Sequence, residues 1–406
     1  MATATIAAAV PLVIVDVGFR SIRPSICPHH EEKRRLRYGG QELVDRIGKW
    51  AASPWQDLDR KRSSYGLHLP ALDGARGVAA LIVVASHSGA FSMRGQGGLG
   101  VLWFFLLSGF VLSLPYVEQP RALLNLSELG RFFRNRVLRI VPIYLVAVTF
   151  LATRPNRDLE WFLWNASFIK GWNHLWSVAE EVRFYLLFPL VMGVLALVPG
   201  RVARIVVTFA LIIAAYFARE LHAIDMMVGS TREFYFWFFL GGVLVCHLSN
   251  WSSVRTVVRN HVAGILLTSS SLLAGAFLVL SSNAMVAGLW RPLIPGLRPG
   301  FSLNGWAQPE LWLALFCLLT IDVVLRPTGL VGRILGLRLV RLAGLLSYST
   351  YLFHFPVVVM LAPRIADREA LFAATLAISY GVAWLAYILV ERPALGLKSK
   401  RVRAAA

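Results

Sequence analysis

The chain contains the sequence LDGARG at residues 72–77, then the apolar run VAALIVVAS at 78–86, and then His87. His87 follows Arg76 by eleven positions. At about 100° per residue this is three turns plus roughly 20°, so both side chains lie on one face of a helix, roughly 16 Å apart along its axis. Ionisable residues inside a membrane are costly and usually functional. An arginine snorkelling from a helix end and an interfacial histidine would also explain the pair.

The composition of the chain is that of a membrane protein. Of its 406 residues 57% are hydrophobic, and the mean hydropathy is +0.61, whereas soluble domains are about 45–50% apolar. Long apolar runs, rather than alternating ten-residue ones, exclude an outer-membrane barrel. We therefore predict an all-α fold, a polytopic transmembrane helical bundle of about ten spans. The predicted spans are 73–91, 99–117, 137–153, 184–200, 203–219, 234–249, 261–281, 308–325, 341–362 and 370–390.

The positions of the basic residues predict the orientation of the bundle. Lysine and arginine are concentrated in the N-terminal segment, in the C-terminus and in the loops after spans two, four, six and eight. The positive-inside rule therefore places both termini in the cytoplasm, and we expect a plasma (inner) membrane location. The net charge of +19 follows from these basic loops, which suit an anionic leaflet. Because the charge is spread over many short loops, we expect no nucleic-acid partner.

We divide the chain into three segments. Residues 1–70 are predicted to be a basic cytoplasmic extension, partly disordered, with an amphipathic stretch at 41–52. Residues 71–395 form the transmembrane domain, and residues 396–406 a basic cytoplasmic tail. The three cysteines are far apart along the chain, so neither a disulfide nor a metal site is expected.

Two arginines mark the cytoplasmic end of the third predicted span, in the sequence RFFRNRVLRIVP at 131–142. Arg136 and Arg139 are three residues apart and share a helix face. Two guanidinium groups in this arrangement suit bidentate binding of phosphates. The positive-inside rule alone also accounts for arginines at this position, and the spacing by itself favours that explanation.

Two adjacent carboxylates open the fourth span from the outer side, in the sequence HLWSVAEEVRFY at 174–185. Trp176 and Tyr185 suit an interfacial belt, whereas Glu180 and Glu181 do not. Neighbouring residues of a helix point about 100° apart, so we expect one carboxylate to face the bundle and the other to reach water or Arg183. The helix dipole, which favours acids at an N-terminus, is the alternative explanation.

Two further polar positions lie within predicted spans. Ser108 and Gly109 form a small pair in the second span, and on physical grounds close helix packing is their favoured role. His354 lies in the middle of the ninth span, in the sequence SYSTYLFHFP at 347–356. A histidine there can titrate near neutral pH, or its Ser and Thr neighbours can satisfy it structurally.

Taken together, these segments resemble the acyltransferase 3 family of integral-membrane O-acyltransferases. The sequence at 72–77 followed by His87 is similar to the opening signature of that family. Further similar motifs follow in order: FFLLSGF at 104–110, RVLRIVP at 136–142, WS through E to FY at 176–185, FFLGG at 238–242, SYSTYLFHFP at 347–356 and VERP at 390–393. The resemblance covers about residues 70–395. It departs at Ala75, where the family usually has Leu, and at Glu180, a usually apolar position.

The resemblance implies transfer of an acyl group, often acetyl from acetyl-CoA, to a hydroxyl group. The implied acceptor is a sugar of an exported glycan, a glycolipid or a glycosylated metabolite, and the implied setting is the lipid bilayer. The motifs place the family's arginine–histidine pair at Arg76 and His87, its paired arginines at Arg136 and Arg139, and its glutamate at Glu181. We expect no permanently bound cofactor and no metal. The sequence ends soon after the tenth span, and we expect no appended esterase-like domain.

A mechanism follows from this arrangement. We predict that the arginines at the cytoplasmic face bind the CoA phosphates, with His87 roughly 16 Å deeper. His87 acts as the general base on the acceptor hydroxyl, with an acyl-histidine intermediate as the alternative. Glu181 orients or charge-balances His87, or binds the acceptor. The predicted site comprises the catalytic residues His87, Glu181 and Arg76, the donor-binding residues Arg136, Arg139, Ser108 and Tyr185, and the acceptor-binding residues Trp176 and His354.

A multi-pass secondary transporter or glycan exporter is the alternative function, because it too would place Arg, His and Glu within spans. Transporters typically contain structural repeats with paired broken helices, and the arginine–histidine spacing occurs only once here. The tryptophans of the outer loops are expected to be interfacial anchors rather than sugar-stacking platforms. These tryptophans are Trp161, Trp164, Trp172, Trp290 and Trp306.

Overall fold

The computed structural model describes residues 53–59, 69–220, 235–282 and 309–398. Within these ranges the chain is helical and contains no strand, which confirms the all-α class. The helices are α1 (Ser53–Asp59), α2 (Pro70–Ser88), α3 (Gly97–Ser113), α4 (Leu126–Ala152), α5 (Leu159–Ala166), α6 (Trp176–Leu197), α7 (Arg201–Glu220), α8 (Phe236–Asn250), α9 (Ser252–Arg259), α10 (His261–Ser282), α11 (Pro309–Leu325), α12 (Leu330–Leu335), α13 (Arg338–Leu345), α14 (Ser347–Leu361), α15 (Arg368–Ala386) and α16 (Arg392–Gly396). The predicted amphipathic stretch at 41–52, Trp290, Trp306 and the end of the tail lie outside the described residues.

Helix α3 is enclosed by its neighbours. Its sequence, GGLGVLWFFLLSGFVLS, has no charged residue and is apolar on every side, a pattern typical of a helix surrounded by other helices. It packs against α2, α8 and α11, and most of its side chains are buried. The position of Ser108 in the interior of the bundle follows from this burial.

Glycines allow α3 to cross α8 at close range. A Cβ atom at Gly109 would collide with the backbone carbonyl of Phe239, and one at Gly242 with the carbonyl of Leu106. The two segments therefore approach backbone to backbone, as small residues permit in membrane bundles. The packing role expected for Gly109 is confirmed, and its partner is the FFLGG sequence of α8.

Helix α2, which carries the LDGARG sequence and His87, is continuous from Pro70 to Ser88. Proline suits a first helical position because its missing N–H needs no partner there, and Gly89 ends the helix in the left-handed conformation at φ 76°. Neighbouring helices α3, α13, α14 and α15 all contact α2. The prediction of one unbroken helix between Arg76 and His87 is confirmed.

Several helices are apolar enough for a membrane. By length and composition, and among the described residues, three can each cross one, and the bent pair α13–α14 adds a fourth. The three are Leu126–Ala152, Arg201–Ala218 and Arg368–Gly396. Shorter apolar helices are Gly97–Ser113, Phe236–Asn250 and Val262–Leu273.

The boundaries of some predicted spans differ from the helices. Helix α4 begins at Leu126, eleven residues before the predicted start at 137, and Asn125 caps it by accepting a hydrogen bond from the Ser127 N–H at 2.9 Å. Hydropathy detects only the apolar part of a helix, whereas the helix itself continues into polar residues. The ninth predicted span, 341–362, is two helices, α13 and α14, bent by 72° at Leu346.

A short helix from the predicted N-terminal extension packs on the bundle. The carboxylate of Asp57 in α1 accepts hydrogen bonds from the Tyr387 hydroxyl at 2.9 Å and from Arg392 Nε at 3.0 Å. Arg341 donates to the backbone carbonyl of Leu58. Residues 53–59 therefore attach the end of the extension to the VERP motif.

Candidate active site

Arg76 and His87, the two ionisable residues of α2 singled out above, lie close to side chains of other helices. His87 meets His354 and Phe355 of α14, with ring centroids 5.0 and 5.3 Å apart. Arg76 has Arg139, Glu181 and other polar side chains as its electrostatic neighbours. The shared face of α2 is therefore directed towards α4, α6 and α14.

Hydrogen bonds assign the tautomers of the two paired histidines. His354 Nδ1 lies 2.6 Å from the carbonyl of Tyr351, which can only accept, so this nitrogen carries the proton. His354 Nε2 is then an acceptor, and it lies 3.1 Å from His87 Nδ1. His87 Nδ1 must donate, and the carbonyl of Val83, 3.0 Å away, shares that proton. His87 Nε2 is left as a lone pair without a hydrogen-bond partner in the described part of the chain.

A third histidine, His174, completes the cluster. It lies in the turn before α6, and its ring centroid is 5.4 Å from that of His354. Its Nε2 donates to the carbonyl of Leu352 at 3.0 Å, while its buried Nδ1 has no partner among the described residues. Burial lowers the pKa of His174 to about 4, so the ring is neutral at physiological pH and Nδ1 remains an acceptor. We gave this residue no role from the sequence, because only the packing of α6 against α14 brings it to the other histidines.

The carboxylate of Glu181 lies in a different place from the one we expected. It accepts hydrogen bonds from Ser108 Oγ at 2.7 Å and from the Tyr185 hydroxyl at 2.5 Å. In the described residues, the hydrogen-bond partners of His87 are His354 and the Val83 carbonyl, and Glu181 is not among them. The expected orientation of His87 by Glu181 is therefore not a direct contact in this structure.

The adjacent carboxylate, Glu180, turns away from the site. It forms an ion pair with Arg183, which also donates to the carbonyl of Ile169 at 2.7 Å. The two acids diverge as expected for neighbours on a helix. Glu180 is nevertheless buried rather than in water, because Arg183 covers it.

Three arginines that we predicted at the cytoplasmic side lie near Glu181 and Tyr185, although we predicted Glu181 at the outer side of its span. The guanidinium of Arg136 lies over the ring of Tyr185 at 5.8 Å, and Arg76 has both Glu181 and Arg139 as electrostatic neighbours. The Nε atoms of Arg76 and Arg136 are buried without a hydrogen-bond partner in the described residues. Buried donors are nearly always satisfied in native structures, so these two atoms are suited to an anionic group that binds between them.

The VERP motif holds the third arginine. Arg139 Nη1 lies 3.8 Å from Glu391 Oε2, and Glu391 also accepts a hydrogen bond from Ser349. Glu391 ends a π-helical turn, Tyr387–Glu391, between α15 and α16. Such turns are frequent at functional sites. The motif had no assigned role in the sequence, and here it positions Arg139.

Polar groups of α6 and α14 connect the arginines with the histidines. Tyr348 has Glu181 and Tyr185 as electrostatic neighbours. One turn further along α14, the Tyr351 hydroxyl lies 2.6 Å from Ser177 Oγ and donates to the carbonyl of His174. Polar side chains thus follow one another from the arginine group to the histidine group inside an otherwise apolar bundle.

The ring contacts of Trp176 in the described structure include two aromatic residues outside α6. Its ring packs against Phe105 and Tyr235, with centroids 5.9 and 6.2 Å away. His354, the other predicted acceptor-binding residue, is fully buried and bonded to His87. Its position suits support of His87 better than contact with an acceptor.

A cavity of about 470 Å³ lies beside the histidine group, at the predicted outer ends of α4 and α14. Its wall contains His174 and Phe355 of the cluster, and it includes no acidic residue. The polar and aromatic lining residues are Arg154, Arg157, Trp161, Trp172, Asn173 and Arg364. Two tryptophans that we expected to be interfacial anchors, Trp161 and Trp172, therefore also line a cavity.

Comparison with known proteins identifies a family whose domain covers most of the chain. The acyltransferase 3 family, described as an acyltransferase domain, matches residues 69–390. The chain belongs to this family. The match covers all the residues of the arginine and histidine groups, so these polar groups lie within the acyltransferase domain.

Curated relatives of this acyltransferase 3 chain are named O-acetyltransferases. O-acetyltransferase OatA of Staphylococcus aureus is 26% identical over 339 residues, which cover 75% of this chain and 53% of the relative. Peptidoglycan O-acetyltransferase OatA of Listeria monocytogenes is 22% identical, over 80% of this chain and 56% of that protein. Putative peptidoglycan O-acetyltransferase YrhL of Bacillus subtilis is 23% identical, over 82% and 56%. The chain spans about half the length of these relatives.

Proposed function

We propose that this chain is a membrane O-acyltransferase that moves an acetyl group from acetyl-CoA, on the cytoplasmic side, to a carbohydrate hydroxyl on the outer side of the plasma membrane. The observation that carries the proposal is the Nε2 lone pair of His87, which has no hydrogen-bond partner in the described residues and whose ring is fixed by His354, in a bundle that also holds three partly buried arginines. Family membership and the names of the relatives support an acetyl group and a glycan acceptor. They favour a transferase over the transporter alternative.

The arginine group is the proposed donor site. Acetyl-CoA carries phosphates, and guanidinium groups bind phosphates through paired, charge-assisted hydrogen bonds. Arg76 and Arg136 each have a buried Nε without a partner in the described residues, which fits an anionic donor that completes the site. Glu391 holds Arg139, while Ser108 and Tyr185 hold Glu181, so the site keeps its shape before the donor binds.

His87 is the proposed general base. Its Nε2 takes the proton of the acceptor hydroxyl as the hydroxyl oxygen forms a bond to the acetyl carbonyl carbon. The carbon–sulfur bond then breaks, and the CoA thiolate receives the proton that His87 holds. His354 Nε2 accepts a hydrogen bond from the Nδ1–H group of His87, so it keeps the base in the right tautomer throughout. An acetyl-histidine intermediate is the other route, in which Nε2 attacks the thioester first.

Glu181 has a proposed role that differs from the one we first expected. Its hydrogen bonds to Ser108 and Tyr185 place it near Arg76, not at His87. We assign it to holding Arg76 and the reactive end of the donor in position. Tyr348 lies in the same electrostatic neighbourhood and serves the same purpose from α14.

Replacement of His87 tests the proposal. In membranes or purified protein supplied with radiolabelled acetyl-CoA, His87→Ala should abolish transfer of label to a glycan acceptor, because the variant lacks the proposed general base. The matched control is His247→Ala, because His247 is a histidine of α8 that lies outside the cluster. Transfer should persist in this control, and normal insertion of both variants should be checked by expression in the membrane fraction. Undiminished transfer by His87→Ala would contradict the proposal.

A further inference from the structure

The charge of the outer cavity distinguishes it from an ordinary sugar-binding pocket. Arg154, Arg157 and Arg364 line it, and none of the three has a carboxylate within ion-pair distance among the described residues. Arg157 lies over the ring of Trp161 at 4.7 Å, and Arg364 donates to the carbonyl of Met360. Three cations therefore share one concave surface without a counter-charge in the described wall. A negatively charged group would be attracted to it.

A second, independent feature of the same wall also requires a polar partner. The Nδ1 atom of His174 is buried and has no hydrogen-bond partner in the described structure, and its other nitrogen is committed to Leu352. A buried acceptor without a partner costs free energy, and a hydroxyl group that enters the cavity removes this cost by donating to Nδ1. Trp172, which is exposed, adds flat apolar surface of the kind on which sugar rings pack.

We propose that the outer cavity binds an anionic saccharide, with its carboxylate or phosphate held by Arg154, Arg157 and Arg364 and a hydroxyl donating to His174 Nδ1. The inference rests on the proposed function, which makes a sugar hydroxyl the acceptor, and it narrows the acceptor to a charged class. The volume of about 470 Å³ lies within the range of small-ligand pockets. The ring of His174 also contacts that of His354, so a saccharide bound there lies next to the catalytic histidine group.

Binding measurements on the purified full chain separate this inference from the transfer reaction. The first probes are the trimer of galacturonic acid and its fully methyl-esterified form, which has the same sugar but no charge. The second pair is galactose 1-phosphate and galactose, which tests phosphate in place of carboxylate. Affinities are measured by calorimetry for the wild type and for a triple variant, Arg154→Gln, Arg157→Gln and Arg364→Gln. Arg94→Gln is the matched control, because Arg94 is exposed and is not part of the cavity wall.

The wild type should bind at least one anionic probe more tightly than its neutral partner. The triple variant should bind that anionic probe at least about tenfold more weakly than the wild type does, because charge-assisted hydrogen bonds are stronger than those between neutral groups. Arg94→Gln should bind as the wild type does, and all variants should keep their affinity for acetyl-CoA, which shows that they are folded. Which anionic probe binds identifies carboxylate or phosphate as the recognised group.

Two results would overturn the inference. The first is equal affinity for charged and neutral probes. The second is an effect of the triple variant no larger than that of Arg94→Gln, as expected if the three arginines only contact lipid headgroups. Because binding needs no chemistry, a chain that binds the anionic probes but transfers no acetyl group would refute the proposed function and keep the inference. A chain that acetylates neutral saccharides as well as anionic ones would keep the proposed function and refute the inference.

Discussion

At the scale of single residues, two neighbouring arginines of α4 lie in different surroundings. Arg134 and Arg136 are both in the third turn of α4, at the predicted cytoplasmic side. Arg134 is exposed and donates to the carbonyl of Leu397, whereas Arg136 is turned to Tyr185 and has a buried Nε without a partner in the described residues. The positive-inside rule explains the first arginine but not the burial of the second.

We expect Arg136→Ala to weaken acetyl-CoA binding by about tenfold or more, since each bidentate phosphate contact is strong. Arg134→Ala should change the affinity by less than about twofold, because an exposed charge is screened. The measurement is the Kd of each variant for acetyl-CoA and for S-acetyl-pantetheine, which has no phosphate. Arg136→Ala should not weaken the binding of the phosphate-free donor. Equal losses for both donors would mean that Arg136 supports the fold rather than the phosphates.

Residue pairs far apart in the chain could not be predicted from spacing. The sequence indicated His87 because it follows Arg76 on one helix, where 3.6 residues per turn fix the geometry. His354 and His174 join His87 across 267 and 87 positions, through contacts between helices. We predicted His354 as an acceptor-binding residue from its motif, and its hydrogen bond to His87 required the structure.

At the scale of elements, the crossing of α3 and α8 places Ser108 in the site. A Cβ atom at Gly109 would meet the backbone of Phe239. We therefore expect Gly109→Ala to reduce the free energy of unfolding by roughly 1–3 kcal/mol, the usual cost of overpacking. Gly381→Ala is the control, because a Cβ there meets nothing within 4 Å. It should stabilise the protein slightly, since alanine is the better helix former.

The measurement for both glycine variants is thermal unfolding of the detergent-solubilised protein. The melting temperature of Gly109→Ala should fall, and transfer activity should fall with it because Ser108 shifts. An unchanged melting temperature in Gly109→Ala would show that the two helices can move apart without cost. The crossing would then not be a rigid support for the site.

The break between α13 and α14 is a second element that matters for the site. Hydropathy predicts one span at 341–362, and the structure bends there by 72° at Leu346. The bend separates the amphipathic helix α13, which packs against α2, from α14, which carries Tyr348, Tyr351 and His354 inward. Hydropathy averages over a window and so cannot detect a change of direction within one.

At the scale of the whole molecule, the site has two chemically different ends. Arginines gather at the predicted cytoplasmic end, where an acyl-CoA is available, and histidines lie beside a cavity at the predicted outer end. This arrangement would allow donor and acceptor to meet without either crossing the membrane completely. It depends on the predicted orientation, with both termini in the cytoplasm.

Labelling of single cysteines tests that orientation. In a variant without its native cysteines, Glu160→Cys should react with a membrane-impermeant maleimide in intact cells, because Glu160 is exposed at the predicted outer side. Arg134→Cys should react only after lysis, since it is exposed at the predicted cytoplasmic side. The reverse pattern would place the donor site outside the cell and contradict the proposed course of the reaction.

The sequence by itself determined the helical class, the family and the position of Arg76 and His87 on one continuous helix, because composition, motif order and helical geometry are all local properties. It also indicated the divergence of Glu180 and Glu181, since adjacent residues of a helix cannot share a face. Only the tertiary structure decided that Glu181 joins Ser108 and Tyr185, that His174 and His354 join His87, and that a basic cavity lies beside them. Those contacts depend on which helix faces pack together, and no spacing within a single segment specifies that.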